Sequence, residues 1–453
     1  MSTIAAIATP HAVGGLAVIR DSGAEAIRLA ARIFTPAGSR PVEEMAGYTC
    51  AYGRVLAQDE VVDDGVLTVF RAPHSYTGED TVEFSCHGGL YVSQRILQLF
   101  LEAGASPAGP GEFTKRAFLN GKLSLTQAEA VMDVISAQGD AAHRSAVALH
   151  EGALFQRIHA CCGQLVVALS DLAAWADYPD EDIPAVSPDA LQATLAGITD
   201  VLRETAATYA YGRILREGIS TAIVGKPNVG KSTLMNRLSG FDRSIVTDVA
   251  GTTRDVVEES VRLGELVLRL SDTAGMRETE DAVEKIGVDL AQRRMDEADL
   301  ILVVLDGSQP LTAEDQQILD RIGNRKVIAI CNKADCGTAW EPEAVAARVS
   351  HVVSLSAKQG SGMEQLETAV RDLFSLQAPD AQAAVLVNAR QKQCLATAIS
   401  HLEEAMSALA CGVSLDAVTI CLDDAVNALL ELTGERATEA VVDAVFSRFC
   451  VGK

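Results

Sequence analysis

The sequence predicts a multidomain chain: an α+β N-terminal domain, a discontinuous α-helical domain, and a doubly wound α/β domain inserted between the two helical halves. Three observations predict it. Residues 1 to about 120 are rich in Gly and Pro and carry short β-like runs such as "GGLAVIR" and "DGVLTVF". Helical apolar periodicity occurs twice, on either side of the middle of the chain. Between those stretches, apolar strand-like runs alternate with helix-like segments.

The N-terminal domain is placed at residues 1–120 and the first helical part at 121–215. In that part Leu154, Ile158, Cys161, Leu165, Leu169 and Leu172 follow one another at intervals of 4, 3, 4, 4 and 3, one apolar stripe of a helix. Leu191, Leu195, Ile198 and Leu202 make a second stripe, and Ser187-Pro188-Asp189 suits its start: a cap, a preset φ and an acid at the positive dipole end. The α/β domain spans 216–377, with "ISTAIVG", "LVLRLSD", "LILVVLD", "KVIAICN" and "HVVSLSA" as its strands. Helix returns over 378–453, where Leu395, Ile399, Leu402, Met406 and Leu409 recur at 4, 3, 4 and 3. Two independent helical domains are the alternative to an insertion.

Composition bounds the function classes. At 453 residues with 48% hydrophobic and 22% charged residues, the chain is globular, and 4% aromatics leaves its cores to Ala, Leu, Val and Ile. A formal charge of −23 excludes coating nucleic acid by bulk electrostatics, although not a local basic patch. The ten cysteines form no CxxC pair or Cys/His zinc spacing and read as reduced thiols of a cytoplasmic protein. No apolar run approaches the roughly 20 residues of a membrane span, and the N-terminus lacks the basic region of a signal peptide.

The chemistry sits in the α/β domain. "GKPNVGKS", Gly225 to Ser232, fits G-x-x-x-x-G-K-[ST] between a strand and a helix start. Gly225 and Gly230 let the backbone curl so that its N–H groups face phosphate oxygens; Lys231 supplies charge to the β- and γ-phosphates and Ser232 an oxygen to Mg2+. Asn228, Val229 and Thr233 complete the phosphate-binding segment. "GTTRD" begins about twenty residues on, and Thr253 is assigned as the second Mg2+ ligand, a switch threonine sensing the γ-phosphate. "DTAG", Asp272, Thr273, Ala274 and Gly275, follows a strand; Asp272 belongs in the Mg2+ shell and Gly275 leaves room for the γ-phosphate. "NKAD", Asn332, Lys333, Ala334 and Asp335, ends another strand, and Asp335 can accept from guanine N1–H and the 2-amino group, a donor pair adenine lacks. Ser356, Ala357 and Lys358 close the base pocket. Five motifs in order, each at a strand end, predict a GTP site at the carboxyl edge of an open sheet.

Met276, after "DTAG", stands where Ras-like enzymes keep a water-orienting glutamine. Something else must align water and offset charge; an arginine finger supplies about 10³–10⁵ in rate where one is used. A monovalent cation held by loop oxygens could supply similar charge, with Asn228 a candidate ligand. Glu278, Glu280, Asp281 and Glu284 are candidates to hold water, and a solvated acidic stretch accounts for at least three of them.

Stretches outside these motifs carry a resemblance. "IAAIATPHAVGGLAVIR", "PHSYTGEDTVEFSCHGG", "PGEFTKRAFLNGKLSLTQAEAV" and the terminal "FCVGK" make the chain similar, over its full length, to the bacterial tRNA modification GTPases called MnmE or TrmE. The resemblance implies a Ras-like P-loop GTPase domain inserted in the helical domain, and an N-terminal domain that binds 5-formyltetrahydrofolate or a related folate and forms a homodimer. It implies K+-stimulated hydrolysis, with Asn228, Thr247, Val249 and Thr252 as K+ ligands, and Asp248, Ala250, Gly251 and Thr252 in the GTP-binding switch loop. Glu284 would be the catalytic acid that orients water, and Arg20, Glu83, Lys122 and Lys453 the folate-binding residues. Cys450 would lie near the one-carbon unit or be a structural thiol; His74, Cys86 and His87 lack clustered partners for a metal site. The implied partner is MnmG (GidA), an FAD-containing flavoprotein using NADH, joined as a heterotetramer that engages tRNA and modifies carbon 5 of the wobble uridine. A ribosome-assembly GTPase binding rRNA is the alternative, which the acidic balance and "FCVGK" disfavour. A third reading makes residues 1–120 a folate-dependent aminomethyl transferase independent of GTP.

Overall fold

The computed structural model describes residues 2–177, 187–240, 259–270, 295–323, 325–374 and 384–453. Two compact units emerge, one formed by Met1–Met132, Leu149–Thr199 and Cys394–Lys453, the other by Asp133–Ala148 and Asp200–Gln393.

The first unit opens with β1 (Ile4–Ile7), β2 (Leu16–Ser22), β3 (Phe34–Pro36), β4 (Thr49–Ala57), β5 (Glu60–Phe70), β6 (Thr81–His87) and β7 (Ser106–Pro107), a sheet of order β3-β4-β5-β6-β2-β1-β7. Only the β1–β7 pair is parallel. Helices Ala26–Ile33 and Leu90–Ala103 cover one face, where Ile19, Leu67, Val82 and Phe84 meet Ile27, Leu29, Ile96 and Phe100. Alternation along β2 sends Ile19 into that core and leaves Arg20 for the other face, opposite Glu83 on β6.

Helical segments from both sides of the α/β insertion pack together in this unit. Helix Ala153–Asp177 lies against helix Leu415–Thr433. Its expected stripe is buried at Leu154, Ile158, Cys161, Leu165 and Leu172, whereas Leu169 is only half-buried. The stretch Ala153–Ala174 is also long and apolar enough in composition to span a membrane, which corrects the expectation that no run approaches that length. Here one face of it is core, while Gln156, His159 and Gln164 on its other side are exposed. Along helix Ala389–Ala410 the most buried positions are Leu395, Ala398, Leu402 and Ala405; Ile399, Met406 and Leu409 flank them half-buried. Two alanines thus share the innermost line of this helix with two leucines. Ser187 caps helix Pro188–Ala207 as expected, its Oγ accepting from Ala190 N at 3.4 Å.

The end of the chain is tied to its beginning. Helix Glu439–Phe446 packs on helix Glu112–Leu119, and the Phe446 and Phe449 rings lie 5.2 Å apart. Gly111, at φ 63°, sits where a Cβ would come within 2.8 Å of both the Phe446 carbonyl oxygen and Phe449 Cβ, so the terminal turn closes only over glycine. Gly111 N donates to Cys450 O at 3.3 Å and Phe113 N to Lys453 O at 3.2 Å. "FCVGK" is thereby fixed beside the N-terminal sheet.

The second unit contains β8 (Ile219–Val224), β9 (Glu259–Leu263), β10 (Leu266–Leu270), β11 (Leu300–Asp306), β12 (Val327–Asn332) and β13 (His351–Ser354), in the order β13-β12-β11-β8-β10-β9. All pairs are parallel except β9–β10. The five expected strands are present; β9 was not expected. It forms a hairpin with β10 around Gly264, burying Val261 and Leu263 beside Leu266 and Leu268. β11 and β12 are buried along their whole length, as strands covered on both faces must be. The strand order reverses at β8, which puts the segment after β8 at the switch point where open α/β sheets bind ligands. This is the Ras-like P-loop architecture, inserted in a helical domain.

Candidate functional site

The phosphate end of the site is the loop from Gly225 to the start of helix Lys231–Gly240. Asn228 takes φ 63°, and Gly230 takes φ 99° with no room for a Cβ, which would lie 2.3 Å from Asn332 Nδ2. Lys231 folds back over the loop, its Nζ donating to Gly225 O and Lys226 O, each at 2.7 Å. Burial lowers the pKa of this amine from its ordinary value, so the two carbonyls compensate a charge drawn out of water. Ser232 and Thr233 are exposed at the helix start. A curled loop, a charged amine and a helix N-terminus form the arrangement that binds an anion.

The base end is joined to it by one side chain. Asn332, 3% exposed at the end of β12, donates from Nδ2 to Val229 O at 2.8 Å and accepts at Oδ1 from Ala357 N at 3.0 Å. The P-loop and the Ser356–Lys358 loop therefore hang from the same amide. Lys333, at φ 64°, donates to Asn228 O at 3.0 Å and to Asp306 Oδ2 at 2.6 Å. Burial pushes the Asp306 carboxyl up, but Lys333 and the donors of Ser308 outweigh it and hold it below the ordinary value. Asp335 is exposed, and a hydrogen bond from Ser356 holds its carboxyl below the ordinary value. An ionised acceptor thus stands at the exposed rim where guanine donors would arrive.

Thr247, Asp248, Val249, Ala250, Gly251, Thr252 and Thr253, together with Asp272, Thr273, Ala274, Gly275, Met276 and Glu284, lie outside the described residues. So do Glu278, Glu280 and Asp281. Sequence reasoning missed two members of the described site. Asp306 was legible only as the last letter of a strand, and the Lys226–Asp315 contact, 2.8 Å between Nζ and Oδ2, joins residues 89 apart.

A second polar cluster lies in the first unit. Arg20 and Glu83 pair across β2 and β6 with two contacts of 2.8 Å, and Arg20 Nη1 donates to Gly452 O at 3.2 Å. The guanidinium stands 5.9 Å from the Tyr76 ring centre and 5.5 Å from that of Phe113. Burial and then the like charge of Arg20 lower the Lys453 amine, with Glu83 opposing. Arg20, Glu83 and Lys453 are therefore brought together. Lys122 instead reaches the loop that carries Tyr76, donating to Pro73 O at 3.2 Å. Cys450 is exposed, while Phe449 beside it is buried. A carboxylate paired with one cation and near a second, bordered by aromatic rings, suits an amphipathic ligand with ring donors and a carboxylate tail.

One expectation needs correction. His87 does have neighbours able to ligate: its Nδ1 lies 2.8 Å from Asp63 Oδ1, and Asp63, Asp64 and His87 could converge on one ion. Strand register, invisible in the sequence, brings them together. Tyr52 already donates to Asp64 Oδ2 at 2.6 Å, and Cys86 points inward to Ala17 O with its thiol pushed up to about 11 by burial.

Asp335→Asn replaces an acceptor with an amide whose donor matches a 2-oxo purine. The variant should lose GTP binding and gain binding of xanthosine triphosphate, measured by competition; retained GTP preference would remove Asp335 from base recognition.

Comparison with known proteins identifies relatives along the whole chain. Residues 3–122 match the family model described as GTP-binding protein TrmE N-terminus, and residues 125–450 that of the MnmE helical domain. The tRNA modification GTPase MnmE of Acetivibrio thermocellus is 39% identical over 456 residues, covering 100% of this chain and 99% of that protein. The protein of the same name from Lactobacillus delbrueckii subsp. bulgaricus is 42% identical over 455 residues, covering 100% and 98%. Among solved structures, the G domain of the T. maritima FeoB iron transporter is 25% identical, covers 34% of this chain and 98% of its own, and has a TM-score of 0.27. The full-length likeness expected from the N-terminal blocks and "FCVGK" is thus found, and the chain belongs to the MnmE family and is a GTP hydrolase.

Proposed function

We propose that this chain is a K+-stimulated GTPase of tRNA modification, acting in the cytoplasm as a homodimer. In this reading it works with the FAD-containing flavoprotein MnmG (GidA) as a heterotetramer. The pair installs a carboxymethylaminomethyl or aminomethyl group at carbon 5 of the wobble uridine of certain tRNAs, using a folate one-carbon unit. The domains are an N-terminal folate-binding and dimerisation domain at 1–120, helical parts at 121–215 and 378–453, and a GTPase domain at 216–377. Full-length similarity to proteins named for tRNA modification carries this reading.

The described residues suit the groups involved. Asp335 and the Ser356–Lys358 loop receive guanine, and the P-loop N–H groups receive the phosphates. As they arrive, Lys231 exchanges the Gly225 and Lys226 carbonyls for phosphate oxygens. Ser232, exposed at the helix start, and Thr253 would hold Mg2+; Asn228, exposed at the loop tip, would hold K+ with Thr247, Val249 and Thr252. When bound, both cations supply positive charge to the phosphoryl group in transfer, where no glutamine stands at position 276. Glu284 orients the attacking water. In the first unit, Glu83 accepts from pterin donors, and Arg20, Lys122 and Lys453 receive the glutamyl carboxylates.

Two measurements test the proposal. Replacing K+ with Na+ should cut the hydrolysis rate steeply, and equal rates in the two salts would contradict the K+ site. In tRNA from a strain lacking the protein, the modified wobble uridine should disappear; unchanged modification would contradict the assigned pathway, whatever the GTPase rate.

A further inference from the structure

Lys226, the second residue of the P-loop, is turned away from the phosphate path. Its side chain is 14% exposed and its Nζ donates to Asp315 Oδ2 at 2.8 Å and to Thr312 Oγ1 at 3.3 Å. Asp315 is 1% exposed and is the third residue of helix Ala313–Ile322, whose N-cap is Thr312. The reciprocal capping bonds between Thr312 and Asp315 are complete without Lys226: Thr312 N to Asp315 Oδ2 at 2.9 Å, and Asp315 N to Thr312 Oγ1 at 3.4 Å. The helix therefore needs no lysine there, and the ion pair has another consequence.

That consequence is on the loop side. Residue 227 is proline, so the 226–227 peptide has no N–H to offer a phosphate. Its carbonyl is one of the two acceptors holding Lys231 Nζ at 2.7 Å. The Lys226 side chain and carbonyl thus link a buried carboxylate on one helix to the amine that must engage the phosphates. Burial pushes the Asp315 carboxyl up, but Lys226 and the Thr312 donors hold it below the ordinary value, so the anchor is charged.

We propose that Lys226 and Asp315 form a positioning pair for GTP binding, setting the curl of the P-loop and the place of Lys231 without touching the nucleotide. The measurement is KM and kcat for GTP in the full-length protein carrying Lys226→Met, Asp315→Asn, both together, or Lys226→Arg. Breaking a buried pair is costly, and if only part of that cost reaches the loop, each single variant raises KM by about tenfold while kcat changes by less than about twofold. The double variant should be no worse than the worse single one, and Lys226→Arg should stay near the parent. Lys226→Met keeps both capping residues, Thr312 and Asp315, so it decides the matter even where Asp315→Asn impairs folding. An unchanged KM with reduced kcat, as loss of folded enzyme would give, overturns the proposal. So do multiplying effects in the double variant, which would make the two residues independent.

Discussion

The nucleotide site depends on the two hydrogen bonds of Asn332. A buried primary amide has a donor and an acceptor on opposite sides, and here each holds a different loop: Val229 O on the phosphate side and Ala357 N on the base side. Without it two main-chain groups, Val229 O and Ala357 N, would lose these partners inside the protein. Lys333 adds a second tie from the adjacent position, reaching Asn228 O while its charge is matched by Asp306. The loops at the two ends of the candidate site are thus joined through consecutive residues at the end of one strand, and the sheet supplies the rigidity.

The same economy governs the first unit. Arg20 and Glu83 are placed by strand register, and the last residues of the chain close over them because Gly111 admits Phe449 and the terminal turn. The polar cluster therefore exists only when chain segments more than four hundred residues apart are in place, as the Arg20–Gly452 bond illustrates. Lys231 shows a related principle: its amine is held by two carbonyls of the loop it follows, which fixes the curl of that loop.

Much of this was legible in the sequence. The P-loop, "NKAD" and "SAK" are contiguous motifs whose spacing follows from strand-end geometry, and apolar runs marked five of the six strands in the α/β sheet. Other parts depend on contacts that no local pattern encodes. β9 reads as a charged segment until its Val261 and Leu263 are seen to face the core beside β10. Asp63 and Asp64 meet His87 through register, and Asp315 meets Lys226 through the packing of a helix against a loop. In the helices the period was right, but large residues stood out in the sequence, while Ala398 and Ala405 are as fully buried as Leu395 and Leu402.

The central claim is that Asn332 clamps both ends of the nucleotide site at once. The direct measurement is amide hydrogen exchange on Asn332→Ala, read together with GTP affinity. Leaving buried groups unpaired costs about 1–3 kcal/mol, so exchange should rise in both the 225–232 and 355–360 segments and GTP affinity should fall by about tenfold or more. Faster exchange in only one segment, or undiminished affinity, would contradict the account.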